Sequence, residues 1–202
     1  MKVKVMLDLD GCIANFYYDF ALFLNNKYGC DLDLDNEPED YPFEKWGHGV
    51  DKIDFDTASK EWINQDGFGK IPSYPGAEKF VKELMDKYDV YILTARIGDW
   101  DQSFTKDMKN RIKENTYDWL KIRKIPITKL HFIHDKIPFC QTHGISIMVE
   151  DKLETALAAA KEGIHTILMN RGYNGSKANR LMVYRTYDFE QALKQIEKLA
   201  AI

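Results

Sequence analysis

Apolar positions along the chain follow two alternating rhythms, short β-branched-rich runs and longer stretches at helical spacing. Val3, Val5, Met6 and Leu7 form the first run, which predicts a strand buried on both faces of a parallel sheet. Phe16, Phe20, Phe23 and Leu24 then recur every three to four residues, predicting a helix from Asn15 to Tyr28 capped by Gly29. From Cys30 to Pro75 the rhythm loosens into an acidic and aromatic region, with one short helix expected around Thr57 to Ile63 and no buried strand. Regular alternation resumes at Gly76. The pattern predicts helices over Ala77–Tyr88, Phe104–Ile122, Leu153–Glu162 and Phe189–Leu199, and strands over Val90–Leu93, Leu130–Ile133, Ile145–Val149 and His165–Met169. The connector HDKIPFCQTHG holds a short helix at most, and a short extended piece is expected near Met182 to Tyr184.

Strands alternating with helices imply right-handed crossovers and a parallel sheet covered on both faces, here with five strands. The gap between the first strand and Val90 is far longer than a crossover needs, so residues 15–75 read as an insertion. Residues 1–14 and 76–202 are then the core domain, and Pro72 and Pro75 mark the return from the insertion.

Composition narrows the class. The chain has 202 residues, 45% hydrophobic and 30% charged, enough for one well-buried domain plus an insertion. A net charge of -4 supplies no basic footprint for a phosphate backbone, which argues against stable nucleic-acid binding. Cys12, Cys30 and Cys140 are odd in number and scattered, predicting free thiols and a reducing compartment. Acidic residues interrupt the N-terminal apolar run and no stretch reaches membrane-spanning length, so a cytoplasmic protein is expected.

In an open parallel sheet ligands bind beyond the carboxyl ends of the strands, and the residues there form a chemical set. The first strand ends in Asp8 and Asp10, whose side chains point the same way along an extended backbone, followed by Gly11, which allows a sharp turn. Two anions so close call for a cation or a proton between them. The second strand delivers Thr94, the segment after the third Lys136, and the fourth Glu150 and Asp151. Taken singly, each has a plain structural reading: an Asp-Gly turn, a Thr helix cap, a solvated Lys. Lys152 competes with Lys136 for the cationic role.

The order DxD, Thr, Lys, acidic pair resembles the four motifs of the haloacid dehalogenase-like (HAD) phosphohydrolases. Within them DLDGCIANF, the insertion directly after it, IPSYPGA and the loop NRGYN resemble the 5'(3')-deoxyribonucleotidase branch. The resemblance implies a Rossmann-like α/β core with a small α-helical cap and a Mg²⁺-dependent phosphomonoesterase acting on nucleoside monophosphates. It makes Asp8 the nucleophile and Asp10 the proton carrier whose backbone carbonyl also reaches the metal. Asp151 becomes a metal ligand with Glu150 as direct or indirect support, and Thr94 and Lys136 bind the phosphoryl group. It also places Lys136, rather than Lys152, before the fourth strand. The chemistry agrees, because a carboxylate can approach a dianionic monoester only if fixed positive charge offsets the repulsion. Phe16 and Trp46 are candidates to stack on a base, with cap packing as the alternative, and Ala95 and Arg96 lie beside Thr94 as candidate substrate contacts, with a surface salt bridge as the equal alternative for Arg96. Three rival functions remain: a phosphatase for another small metabolite, a 3'-phosphatase acting on nucleic-acid ends, which the negative net charge and an obstructing cap disfavour, and a non-catalytic relative. The expected partner is a small phosphorylated molecule. The oligomeric state stays open, a homodimer included.

Overall fold

The computed structural model describes residues 2–39, 46, 49–97, 103–175 and 181–202. Six parallel strands form one sheet: β1 (Lys4–Leu7), β2 (Asp89–Thr94), β3 (Leu130–Phe132), β4 (Ile147–Glu150), β5 (His165–Met169) and β6 (Val183–Thr186). Their spatial order is β3-β2-β1-β4-β5-β6. The expected fifth strand is therefore not the last, and the extended piece near Met182 is a full edge strand paired with β5 from Thr166↔Val183 to Met169↔Thr186. VYRT lacks the continuous apolar run of a central strand, because Tyr184 and Arg185 are only half-buried at the edge.

Strict alternation sorts the sheet's side chains. Val5, Leu7, Ile92, Val149 and Ile167 belong to one apolar cluster, whereas Met6, Leu93 and Met148 belong to another. The first cluster includes α4 (Ala77–Lys87), α5 (Lys106–Ile122) and α8 (Phe189–Ala200) through Phe80, Ile112, Trp119 and Ile196. Residues of α6 (Lys136–His143) and α7 (Leu153–Lys161), namely Cys140 and Ala159, join the second. A helix layer thus lies on each face, as the alternation predicts. All three cysteines are free.

Among the described residues, the stretch between β1 and α4 carries α1 (Phe16–Tyr28), α2 (Phe55–Asn64) and the single turn α3 (Gly67–Lys70). Asn15 accepts the Tyr18 N–H to start α1, and left-handed Gly29 (φ 70°) ends it. Phe20, Leu24, Trp62, Ile63 and Phe68 are buried in the same cluster as the first sheet face. The apolar side chains of these helices therefore share one cluster with the sheet. Among the described residues, no helix is long and apolar enough to cross a membrane.

Candidate active site

β1 and β4 are hydrogen-bonded neighbours, while the strands that follow them in sequence lie outward in opposite directions. Their carboxyl ends are thus the point where the winding of the sheet reverses, which opens a crevice for ligands. Asp8 leaves β1 with its N–H donated to the Val149 carbonyl (3.1 Å), so the ends of β1 and β4 are locked together. Asp8, Glu150 and Asp151 meet there, with one carboxylate oxygen of each within 4.8 Å of the others.

Lys136, the first residue of α6, contacts two of the three. Its Nζ lies 2.7 Å from Asp8 Oδ2 and 2.9 Å from Glu150 Oε2. The other Glu150 oxygen accepts the Asp151 and Lys152 N–H groups, both at 3.1 Å. Asp151 accepts the Tyr173 hydroxyl on Oδ2 (2.6 Å). Asp8, Lys136, Glu150 and Asp151 are 1 to 7% exposed. Three buried carboxylates facing one ammonium leave excess negative charge that only protons or a cation can offset.

The titration behaviour follows. Burial pushes Asp8 up to about 7 against the pull of Lys136. Burial, then the charges of Glu150 and Asp8, push Asp151 well above the usual carboxylate range. Burial opposes the charge of Glu150 too, but the charge of Lys136, a hydrogen bond with the Asp151 side chain and the Lys152 N–H outweigh it and hold Glu150 low. Lys136 is also opposed by burial, yet Asp8 and Glu150 hold its ammonium above the usual lysine range. The donor set is all oxygen, which suits a hard divalent cation. Asp8, Glu150 and Asp151 could each offer one of these oxygens to such an ion.

Gly11 makes this closeness attainable. It sits at φ +74°, and a Cβ there would lie 2.1 Å from Asp151 Oδ2 and 2.5 Å from the Tyr173 oxygen. Arg171 ties down the same turn, its Nε donating to the Gly11 carbonyl (2.5 Å) and another guanidinium nitrogen to that of Cys12 (3.3 Å). Asn174 completes the loop by donating to the Asp151 and Met169 carbonyls at 2.8 and 2.7 Å.

Asp10 stands apart from the Lys136 cluster. Its two oxygens are gripped by Arg96 through Nε and a terminal nitrogen, both at 2.8 Å. Arg96, expected to face substrate, has a fully buried side chain and points instead at this carboxylate. The Thr94 hydroxyl accepts the Arg96 N–H (3.3 Å), which leaves its own proton to donate. Ala95, between them, is half-buried. Phe16 and Trp46 lie in aromatic packing of the insertion, Phe16 against Phe20 (5.5 Å) and Trp62 (5.3 Å), and Trp46 against Tyr17 (4.8 Å). Geometry thus gathers Asp8, Lys136, Glu150 and Asp151. Sequence reasoning missed Tyr173, Asn174 and Arg171 as site residues, although they lie in the NRGYN loop.

Comparisons with known proteins give a family and a fold. The family model described as "5' nucleotidase, deoxy (Pyrimidine), cytosolic type C protein" matches residues 1–198. A protein of Halalkalibacterium halodurans, provisionally named nucleotidase BH1399, is 26% identical over 174 residues, covering 83% of this chain and 80% of that protein. Among solved structures, a HAD family hydrolase from Deinococcus radiodurans with bound phosphate and sodium superposes with a TM-score of 0.59 at 13% identity, covering 98% of this chain and 96% of that one. The haloacid dehalogenase-like protein SP0104 from Streptococcus pneumoniae gives 0.55 at 16% identity, covering 96% and 98%. These structural likenesses concern the fold.

Proposed function

The chain belongs to the 5' nucleotidase, deoxy (pyrimidine), cytosolic type C family of HAD hydrolases, and we propose that it is a Mg²⁺-dependent phosphomonoesterase for (deoxy)ribonucleoside monophosphates. The observation that carries the reading is the buried cluster of Asp8, Lys136, Glu150 and Asp151 at the β1–β4 ends. Phosphate bound in the Deinococcus relative supports phosphoryl chemistry on this fold. The family's name is also in line with a cytosolic home.

Mg²⁺ held by Asp8 and Asp151 would supply charge that offsets the repulsion between the nucleophile and a dianionic ester. Asp8 attacks phosphorus through one carboxylate oxygen; the new O–P bond forms as the bond to the nucleoside oxygen breaks. Asp10 gives its proton to the departing alkoxide. It then takes one from the water whose oxygen displaces Asp8 from phosphorus, which restores the free carboxylate. Lys136 keeps Asp8 oriented and meets the developing charge on the phosphoryl oxygens, to which Thr94 donates its hydroxyl proton. Residues 15–75 form a cap that meets whatever the phosphate is attached to.

The test is a phosphate-release screen over nucleoside monophosphates and common sugar phosphates, with and without Mg²⁺, on the wild type and Asp8→Asn. Nucleotides should lead the ranking, Mg²⁺ should be required, and Asp8→Asn should be folded and inactive. Wild-type rates for Asp8→Asn refute the covalent mechanism, and sugar phosphates outranking every nucleotide refute the substrate class.

A further inference from the structure

Arg96 follows β2 and has no exposed charge to offer a ligand, since its side chain is fully buried. All three of its guanidinium nitrogens make a hydrogen bond. Two nitrogens grip Asp10 at 2.8 Å, the third donates to the Thr116 hydroxyl (3.1 Å), and Thr116 in turn donates to the Ile112 carbonyl (2.7 Å) of α5. The guanidinium carbon lies 4.8 Å from the centre of the Phe68 ring and 5.8 Å from that of Trp119. Trp119 is fixed by donating to the Ile71 carbonyl (2.6 Å) and by Arg123, whose guanidinium stacks on it at 4.1 Å. Phe68 is fixed by Trp62, 4.7 Å away, whose indole lies so close to Gly67 that a Cβ there would meet it at 2.1 Å.

A bidentate arginine sets both the position and the plane of a carboxylate, which a single-point cation does not do. Trp119 and Thr116 belong to the core helix α5, but Phe68 belongs to the insertion. One group therefore contacts the proposed proton carrier, the core and the insertion together. We propose that Arg96 is a positioning residue that orients Asp10 for proton transfer, and that Phe68 makes this orientation depend on the packing of the insertion. The proposal rests on the phosphomonoesterase reading for its chemistry and on the Arg96 contacts for its geometry.

Two proton transfers pass through Asp10, one to the leaving alkoxide and one from the attacking water. p-Nitrophenolate leaves without needing a proton, so a displaced Asp10 still permits phosphorylation of Asp8 by p-nitrophenyl phosphate and slows only the water step. With Mg²⁺ present, Arg96→Met should lower kcat for a nucleoside monophosphate on the order of 10²-fold, the usual weight of a positioned acid–base group, with KM little changed. It should keep a burst of about one equivalent of p-nitrophenolate per chain before a slow steady state, the sign of an accumulating phosphoenzyme. Arg96→Lys should fall between the two, and Phe68→Leu should show the same split more weakly.

Equal loss of burst and steady state in folded Arg96→Lys and Phe68→Leu overturns the proposal, because a purely structural role affects both steps. A crystal structure of Arg96→Met, or of Arg96→Lys if the former does not fold, decides independently of activity. Asp10 displaced supports the proposal, and Asp10 unmoved overturns it, even if the wild type hydrolyses no phosphate ester and the function reading fails alone.

Discussion

Replacing Lys136 with Met removes an ammonium that contacts two of the three buried carboxylates while keeping much of the side chain's volume. In the wild type its Nζ contacts Asp8 at 2.7 Å and Glu150 at 2.9 Å, with Asp151 close by. Breaking a buried pair by removing one partner leaves an uncompensated charge and costs about 3–5 kcal/mol. For a chain of this size each kcal/mol moves Tm by roughly 2–4 °C, so a drop of roughly 6–20 °C is expected in EDTA at pH 8. The pH dependence has a fixed sign. Asp8 is raised from 3.8 to about 7 in the fold, so the folded chain retains a proton there that the unfolded chain has lost. Its contribution to stability is complete below about pH 4 and disappears as pH rises through about 7. Without Lys136 the carboxylate holds its proton to still higher pH, so the variant's deficit should be small at pH 5 and largest at pH 8. Mg²⁺ should narrow the deficit by binding only the folded state. Urea titrations with EDTA or Mg²⁺ at the two pH values measure all of this. Equal midpoints in EDTA at pH 8, or a larger deficit at pH 5 than at pH 8, refute the reasoning.

Gly11→Ala forces a side chain into left-handed backbone and against Asp151; strain alone should cost roughly 1–3 kcal/mol in urea unfolding, and the Mg²⁺ activation curve should move to higher concentration. Tyr173→Phe deletes the hydroxyl that Asp151 accepts, so calorimetry should find Mg²⁺ binding weaker by about 10–100-fold with Tm nearly unchanged. Phe16→Ala and Trp46→Ala should raise KM for a nucleotide more than for p-nitrophenyl phosphate if these rings meet the base. Equal effects on both substrates assign them to cap packing alone.

What was legible in the sequence was whatever lies at a strand end. Asp8 and Asp10 could be read because two carboxylates in successive outward positions are unusual, and Lys136 and Asp151 because the order of elements delivers them to the same rim. β6 was only half legible because an edge strand buries less and so loses the apolar signature. The pairing of Arg96 with Asp10 could not be read, since an arginine after a strand looks the same whether it faces substrate or a neighbouring acid. Tyr173 and Asn174 act through a loop conformation that no periodicity encodes. Phe16 and Trp46 were ambiguous in principle, because packing and stacking require the same aromatic side chains.

The bond from Arg171 to the Gly11 carbonyl joins residues 160 positions apart. At a synthesis rate of about 5–20 residues per second, the DLDG turn leaves the ribosome roughly 10 to 30 s before the side chain that ties it down. During that interval the carboxylates are in water and face no cost of burial, and the cation cluster has no reason to form. The acidic crevice therefore gains its last ties late in synthesis, and a nascent chain stalled before β5 would hold Asp8, Lys136, Glu150 and Asp151 without Arg171, Tyr173 or Asn174 to fix the turns around them.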